Sequence, residues 1–490
     1  MIDELKAFVR TENIFPAHDK MWLQAKSFVD GLGITGRILA PFEFSEYYPE
    51  LEPVQFSYFK NVDEYEVVVL NKAQIDRYDD SFVDSVQDSF VYAFGNSVFN
   101  VYVKDGVTSC PDLNHKYRRL SVEHVIKRAV KYQRGFPLLH KIKSKLTNKT
   151  PTILVVSASK FGNAGDDAIT ESAVKILEKS FKGAYIRLAR PPFRRCDVDG
   201  ADIVALGGGG VLYDSCFNNA MNYCDYLFYA KSRGKRTLGI GLGTQGIKSA
   251  RGREMYRHAL GGCELLVVRN KRDEEVLVED CGVETEVCTT NDIVFSFGKK
   301  FSKQKLGKPR KRLRVAVSLL DSKNLLAANA MKRYREGCNE SIDFLCKKHD
   351  VCFVVQSKDD LELYDKYVSE YGAKVITYDY GNTRKFIDFY KTVDLSVTSR
   401  FHGYIFSLLA GVPVISVGSN AGKIDRLIKA AIPSGKFGYI PLRDFSIDSF
   451  HQVFNVFMES PEQYIPLQAE VAEAVKSAQS TVNHVKRTFS

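Results

Sequence analysis

Thr152-Ile153-Leu154-Val155-Val156-Ser157, followed by Phe161-Gly162-Asn163-Ala164-Gly165-Asp166-Asp167, sets the reading of this chain. The first run is short and continuously apolar, the mark of a strand buried on both faces. The second places two glycines around a small residue just before a helix, predicted from about Asp166 to Phe181. Backbone N–H groups and a helix N-terminus then face one point, a geometry that suits an anion. A plain tight turn capped by Asp166 or Asp167 is the bland alternative.

The pattern repeats down the chain. Asp202 to Leu206 is a strand ending in Gly207-Gly208-Gly209-Gly210, and Arg236 to Gly241 is the next, with a helix over Ser249 to Leu260. Leu265 to Val268 precedes a helix over Arg272 to Asp280, and Glu286 to Thr290 adds a further strand. A basic segment with Gly307 and Pro309 interrupts, then the alternation resumes. Strands are predicted at Leu313–Leu319, Cys352–Gln356, Lys374–Tyr378, Leu395–Thr398 and Val412–Val417, each followed by a helix. Alternation of this kind means parallel βαβ units.

The expected fold is therefore α/β, with two Rossmann-like doubly wound lobes in a GT-B-like arrangement. The lobes span 151–298 and 313–490, the second with C-terminal helices, joined by a basic linker at 299–312. Residues 1–150 form a small N-terminal α/β or α+β domain, with strands at Tyr65–Leu70 and Ser97–Val103 and a basic helix over Val122–Leu146. Its role is not legible. At 490 residues, two or three domains are expected on size alone.

Composition narrows the class. Hydrophobic residues at 44% and charged residues at 26% match a water-soluble globular chain. No N-terminal basic segment joins an apolar run, so no signal peptide is expected. The most apolar stretch, Gly403 to Gly418, is broken by Gly411 and Pro413 and reads as helix, turn and strand. Ten cysteines lack metal spacing, and a reducing, cytoplasmic setting is expected. The net charge of +10 gathers at Lys116–Lys149 and around Lys308-Pro309-Arg310-Lys311-Arg312. Without an aromatic platform these runs argue against nucleic acid. They read as a solvated face or linker, or as a peripheral contact with the anionic inner face of the cell membrane.

In doubly wound sheets ligands gather at strand carboxyl ends, here expected to face an interlobe cleft. The candidate loops carry Gly162, Asn163, Gly165 and Asp166; Gly208, Gly209 and Gly210; and Gly241 and Gly243 within Gly239 to Gly246. Consecutive glycines cost backbone entropy and permit close approach of a ligand or of another backbone. Arg269 ends its strand, where a guanidinium binds carboxylate or phosphate, or pairs with Asp273 or Glu274. The sharpest constellation is Ser399-Arg400-Phe401-His402-Gly403, a cation and an imidazole delivered together at a strand end. Lys423, opening a later helix, either reaches the ligand or is surface charge. No convincing metal ligand set is present.

In order, Gly162-Asn163-Ala164-Gly165-Asp166, Gly207 to Asp214, Gly239 to Gly246, Val268-Arg269, Asn291-Asp292, Ser399 to His402 and Gly411-Val412-Pro413-Val414-Ile415 resemble the polysaccharide pyruvyltransferase family. The resemblance covers 151 to about 430 and leaves out the N-terminal domain. It implies transfer of the enolpyruvyl carbons of phosphoenolpyruvate, a co-substrate, to two hydroxyls of a sugar, giving a cyclic ketal and phosphate. No cofactor is implied. The acceptor would be a lipid-linked or nucleotide-linked sugar. Arg269 and Arg400 match the family's anion-binding arginines and His402 its general acid, with Phe401 and Lys423 beside them at the donor. Asp273 departs from the pattern, since the family often has serine there. A GT-B nucleotide-sugar glycosyltransferase is the first alternative, disfavoured because no Asp or Glu lies between Asp394 and Asp425 and Phe406 stands about where the key Glu would be. A non-catalytic glycan-pathway module is the second.

Overall fold

A computed structural model describes residues 15–107, 150–159, 162–298, 311–319, 328–357, 360–419 and 422–490. The basic stretch at 116–149, the helix expected within it, and the linker up to residue 310 lie outside them. Two compact units divide the chain: Met1–Ser157, Phe181–Leu266 and Arg272–Cys288 form the first, and Ala158–Ser180, Val267–Lys271 and Thr289–Ser490 the second.

The N-terminal part of the first unit is a mixed sheet of β1 (Ile38–Ala40), β2 (Glu52–Pro53), β3 (Val67–Asn71), β4 (Val91–Gly95) and β5 (Phe99–Val103), in the order β2-β1-β3-β5-β4. β1 pairs in parallel with β2 and β3, whereas β5 is antiparallel to β3 and β4. Its core is aromatic. Trp22 meets Phe15, Phe44 and Phe99 at ring-centroid distances of 5.6, 5.2 and 4.8 Å. Such contacts combine large burial with favourable edge and offset geometry.

The first lobe contains β6 (Thr152–Val156), β7 (Tyr185–Ala189), β8 (Ile203–Leu206), β9 (Gly209–Leu212), β10 (Arg236–Thr244), β11 (Leu265–Val268) and β12 (Val287–Thr289). The sheet runs β12-β11-β10-β8-β6-β7, with β9 paired to β10 off this path. The order reverses between β6 and β8, as in flavodoxin-like sheets. β7 escapes a sequence reading because it is an edge strand: Tyr185 and Leu188 are exposed, so no continuous apolar run marks it.

The N-terminal sheet and the first lobe share buried polar contacts. Asp225 is buried on the helix Phe217–Ser232 and accepts from Gln55 Nε2 at 2.9 Å and Arg77 Nε at 2.7 Å. Arg195, also buried, bonds Asp80 Oδ1 at 2.6 Å and the Tyr78 and Asp76 carbonyls at 2.7 and 2.9 Å. Phe42 stacks on Phe217 at 4.3 Å. Buried charges persist only when paired and hydrogen-bonded, so these residues hold the two parts in one register.

The second lobe carries β13 (Arg314–Ser318), β14 (Asp350–Val355), β15 (Lys374–Thr377), β16 (Leu395–Thr398), β17 (Val414–Val417) and β18 (Tyr439–Ile440). Their order is β15-β14-β13-β16-β17-β18, and every pairing is parallel. This is the strand order of the Rossmann sheet, with its reversal between β13 and β16. Val315, Val317, Phe353, Leu395, Val397, Ile415 and Val417 fill one core with Tyr334, Ile342, Tyr364, Phe450 and Phe454 from helices. The two doubly wound lobes and the N-terminal domain are thus present.

Asp225→Ala strands Arg77 and Gln55 without their acceptor. It should destabilise the protein by about 3–5 kcal/mol, read as a lowered urea midpoint; a wild-type midpoint would show that the pair does not join the two parts.

Candidate active site

The functional side chains gather in the second unit, where β16 ends. Thr398, Ser399 and β13 fix that end. The Thr398 hydroxyl donates to the Ser318 carbonyl at 3.0 Å and accepts the Arg400 N–H at 3.1 Å, and the Ser399 N–H also reaches Ser318 O at 3.0 Å. Arg400 then caps the helix Phe401–Ala410, eight residues of which, from Gly403 on, are buried. A helix anchored by so apolar a body leaves its first two residues no freedom to drift. Gly403 lets the turn close: a Cβ there would collide with the Gln356 and Thr398 side chains.

His402 is largely enclosed. Its ring meets Phe401 edge-on at 5.0 Å and lies 6.4 Å from Phe406. Gly165 stands directly against its Nδ1 edge, where a side chain would overlap the ring. On the other side Nε2 faces Asp292 Oδ2 at 3.5 Å. Asp292 is buried, and its other oxygen accepts the Val294 N–H at 3.0 Å, capping the short 3-10 helix Ile293–Phe297. Burial works against its charge. The His402 imidazole, the Arg269 guanidinium and the Val294 amide more than offset this and hold the carboxyl below its ordinary range.

Arg269 is buried at the end of β11, with its guanidinium 5.5 Å from the Phe401 ring centre. A small pocket there is lined by Arg269, Asn270, Asn291, Asp292, Phe401, Lys423 and Arg426. Lys423 opens its helix at Gly422, whose φ of 56° is left-handed. Asp166 lies in the first turn of the helix Ala164–Ser180. Burial pushes its carboxyl up, against the pull of His402, Lys423, Arg269 and Arg400. Arg400 itself bonds the fully buried Asp360. Among the described residues no group of His, Cys, Asp and Glu could hold a metal ion.

The residues expected at the site therefore separate. His402, Arg269, Phe401, Lys423, Arg400, Asn163, Gly165 and Asp166 come together, and Gly162 begins their turn with a φ of 86°. Ser399 does not join them: its hydroxyl is buried 2.8 Å from Tyr334 Oη, in the core. Gly208, Gly209, Gly210, Gly241 and Gly243 belong to the first unit. Much of what reads as glycine loop there is strand. Gly209 and Gly210 open β9, and Gly241 and Gly243 lie inside β10, which β9 extends by pairing. Gly210 accommodates the Gln245 side chain. Asp273 accepts from the Thr244 N–H at 2.9 Å and its hydroxyl at 2.7 Å, a buried tie for the end of β10. Asp292, Asp360 and Arg426 also lie here, and no strand-end position in the sequence marks Asp360 or Arg426. Arg426 could have been found from its i,i+3 spacing to Lys423.

The family model for polysaccharide pyruvyl transferase matches residues 163–420. The chain belongs to that family and is a transferase of polysaccharide biosynthesis. No curated protein sequence matches it. Similar solved structures include MnaA from S. aureus with UDP, at 11% identity and a TM-score of 0.44 over 69% of this chain and 97% of that one. Another is UDP-GlcNAc 2-epimerase from Methanocaldococcus jannaschii, at 12% identity and a TM-score of 0.42 over 69% and 99%. Among the described residues no helix is long and apolar enough to cross a membrane.

Gly165→Ala should push the His402 ring aside. A displacement near 1 Å costs roughly 100-fold in rate, so kcat should fall that far while the melting temperature stays near wild type. Asp292 contributes stability that is present above the unfolded carboxyl pKa of about 4 and is lost as pH falls through its lower folded value. The stability gap between wild type and Asp292→Asn, measured by urea unfolding, should therefore close below about pH 4.

Proposed function

We propose that this transferase moves the pyruvyl group of phosphoenolpyruvate onto two hydroxyls of one sugar, forming a cyclic ketal. The observation that carries the reading is His402 held between Asp292 and the Gly165 turn, with Arg269, Arg400 and Lys423 around it. Phosphoenolpyruvate carries a carboxylate and a phosphate, and guanidinium forks suit both. Asp292 stands 3.5 Å from His402 Nε2 and orients its ring.

The protonated imidazole gives its proton to the methylene carbon, which becomes the methyl group. Positive charge develops at the central carbon, and one sugar hydroxyl adds there. Departure of phosphate reopens that carbon to the second hydroxyl. Of the two hydroxyl protons released, one restores His402 and the other leaves with phosphate, so the cycle balances. Positioned proton transfer of this kind supplies about 10²–10⁴ in rate. The acceptor is a sugar of a glycan or glycolipid precursor, lipid-linked or nucleotide-linked. The basic stretch from Lys116 to Lys149 suits an anionic membrane face beside such an acceptor.

Phosphate release from phosphoenolpyruvate against a panel of glycosides tests the reading. His402→Ala should fold normally and lose turnover by at least about 100-fold. Consumption of a nucleotide sugar instead would select the glycosyltransferase alternative. Binding of neither donor by calorimetry would select the non-catalytic one.

A further inference from the structure

Asp360 stands at the N-cap of the helix Leu361–Tyr371 but makes no side-chain cap bond to it. Aspartate at this position ordinarily accepts from the first-turn amides. Here the carboxylate, fully buried, turns away from its own helix. Oδ2 accepts from the Ser357 N–H at 3.0 Å and, more weakly, the Gln356 N–H at 3.3 Å, at the end of β14. Oδ1 accepts from the Arg400 Nη2 group.

Both oxygens lead to the site. Gln356 O accepts the Ala164 N–H at 2.8 Å, and Ser357 forms an isolated bridge with Asn163. Asn163 Oδ1 accepts the Gly165 N–H at 2.9 Å, which seats the turn on the His402 ring. The second branch holds Arg400, whose buried Nε–H has no acceptor among the described residues. A guanidinium fixed at one corner with another N–H left open is a binding group held ready for an anion.

Stability does not call for this arrangement. An apolar side chain of similar volume commonly does as well in place of a buried ion pair. Burial pushes the Asp360 carboxyl up even with Arg400 beside it.

We propose that Asp360 is a positioning residue: it presents Arg400 to an anionic donor and, through the end of β14, holds the Asn163–Gly165 turn against His402. The inference rests on the donor reading above and names a residue outside the site assigned there.

Asp360→Asn separates the two branches. The amide oxygen still serves the Ser357 and Gln356 amides, which turns the –NH2 group, a donor, toward Arg400. The turn on His402 is kept and Arg400 is released. KM for phosphoenolpyruvate should rise by about tenfold or more while kcat changes far less. A merely structural carboxylate would lower the melting temperature and leave KM unchanged. If wild type turns over phosphoenolpyruvate and folded Asp360→Asn keeps its KM, the proposal is wrong. If wild type does not turn it over, the donor reading fails, and calorimetric titration of both proteins with inorganic phosphate decides Asp360 alone: weaker binding by the variant supports it, equal binding overturns it. Should Asp360→Asn not fold, Asp360→Glu, which keeps the charge and moves it by one methylene, is read by the same KM and the same titration.

Discussion

Parallel pairing of β13 with β16, at the point where the strand order reverses, is the constraint on which the site depends. Strands on either side of a reversal send their connections to opposite faces, so a crevice opens beyond their carboxyl ends. The Ser318 carbonyl receives both the Thr398 hydroxyl and the Ser399 N–H across that point. The turn carrying Arg400, Phe401 and His402 is thereby tied to the sheet by backbone as well as by side chains. Helix Phe401–Ala410 then fixes direction, since its buried body cannot rotate without opening the core.

Charge in the second unit follows from the same placement. Arg269, Arg400, Lys423 and His402 converge, and the carboxylates among them are not idle. Asp292 has its charge favoured by its neighbours, whereas burial works against Asp166 and Asp360. A group of cations, left alone, would repel itself and misplace its long side chains. Buried carboxylates offset that repulsion: Asp360 bonds Arg400, and Asp292 faces the His402 ring at 3.5 Å.

The first unit shows buried charge put to a different use. Asp225 and Arg195 tie a five-stranded domain to a doubly wound sheet through hydrogen bonds to Gln55, Arg77, Asp80 and the Tyr78 carbonyl. Around them Phe42 on Phe217, Tyr58 on Phe228 and Phe59 on His258 supply apolar area. The polar pairs give register and the stacked rings give most of the energy, since ion pairs in the interior repay little beyond their desolvation.

The order of elements was determined by the amino-acid sequence alone. Strands buried on both faces, such as Ile153–Val156 and Leu395–Thr398, write themselves as apolar runs, and a charged residue just after one must sit at a carboxyl end. Arg269, Arg400 and His402 were legible for that reason. β7 was not, because an edge strand is half-exposed, and the Gly239–Gly246 stretch misled because glycine permits strand as readily as loop. Tertiary structure alone decided which neighbours met. Ser399 turned to Tyr334 rather than to the site, Asp273 went to Thr244, and Asp292 and Asp360 arrived beside His402 and Arg400 from 110 and 40 residues away. No local pattern records such meetings, because what pairs two side chains is the packing of the segments that carry them.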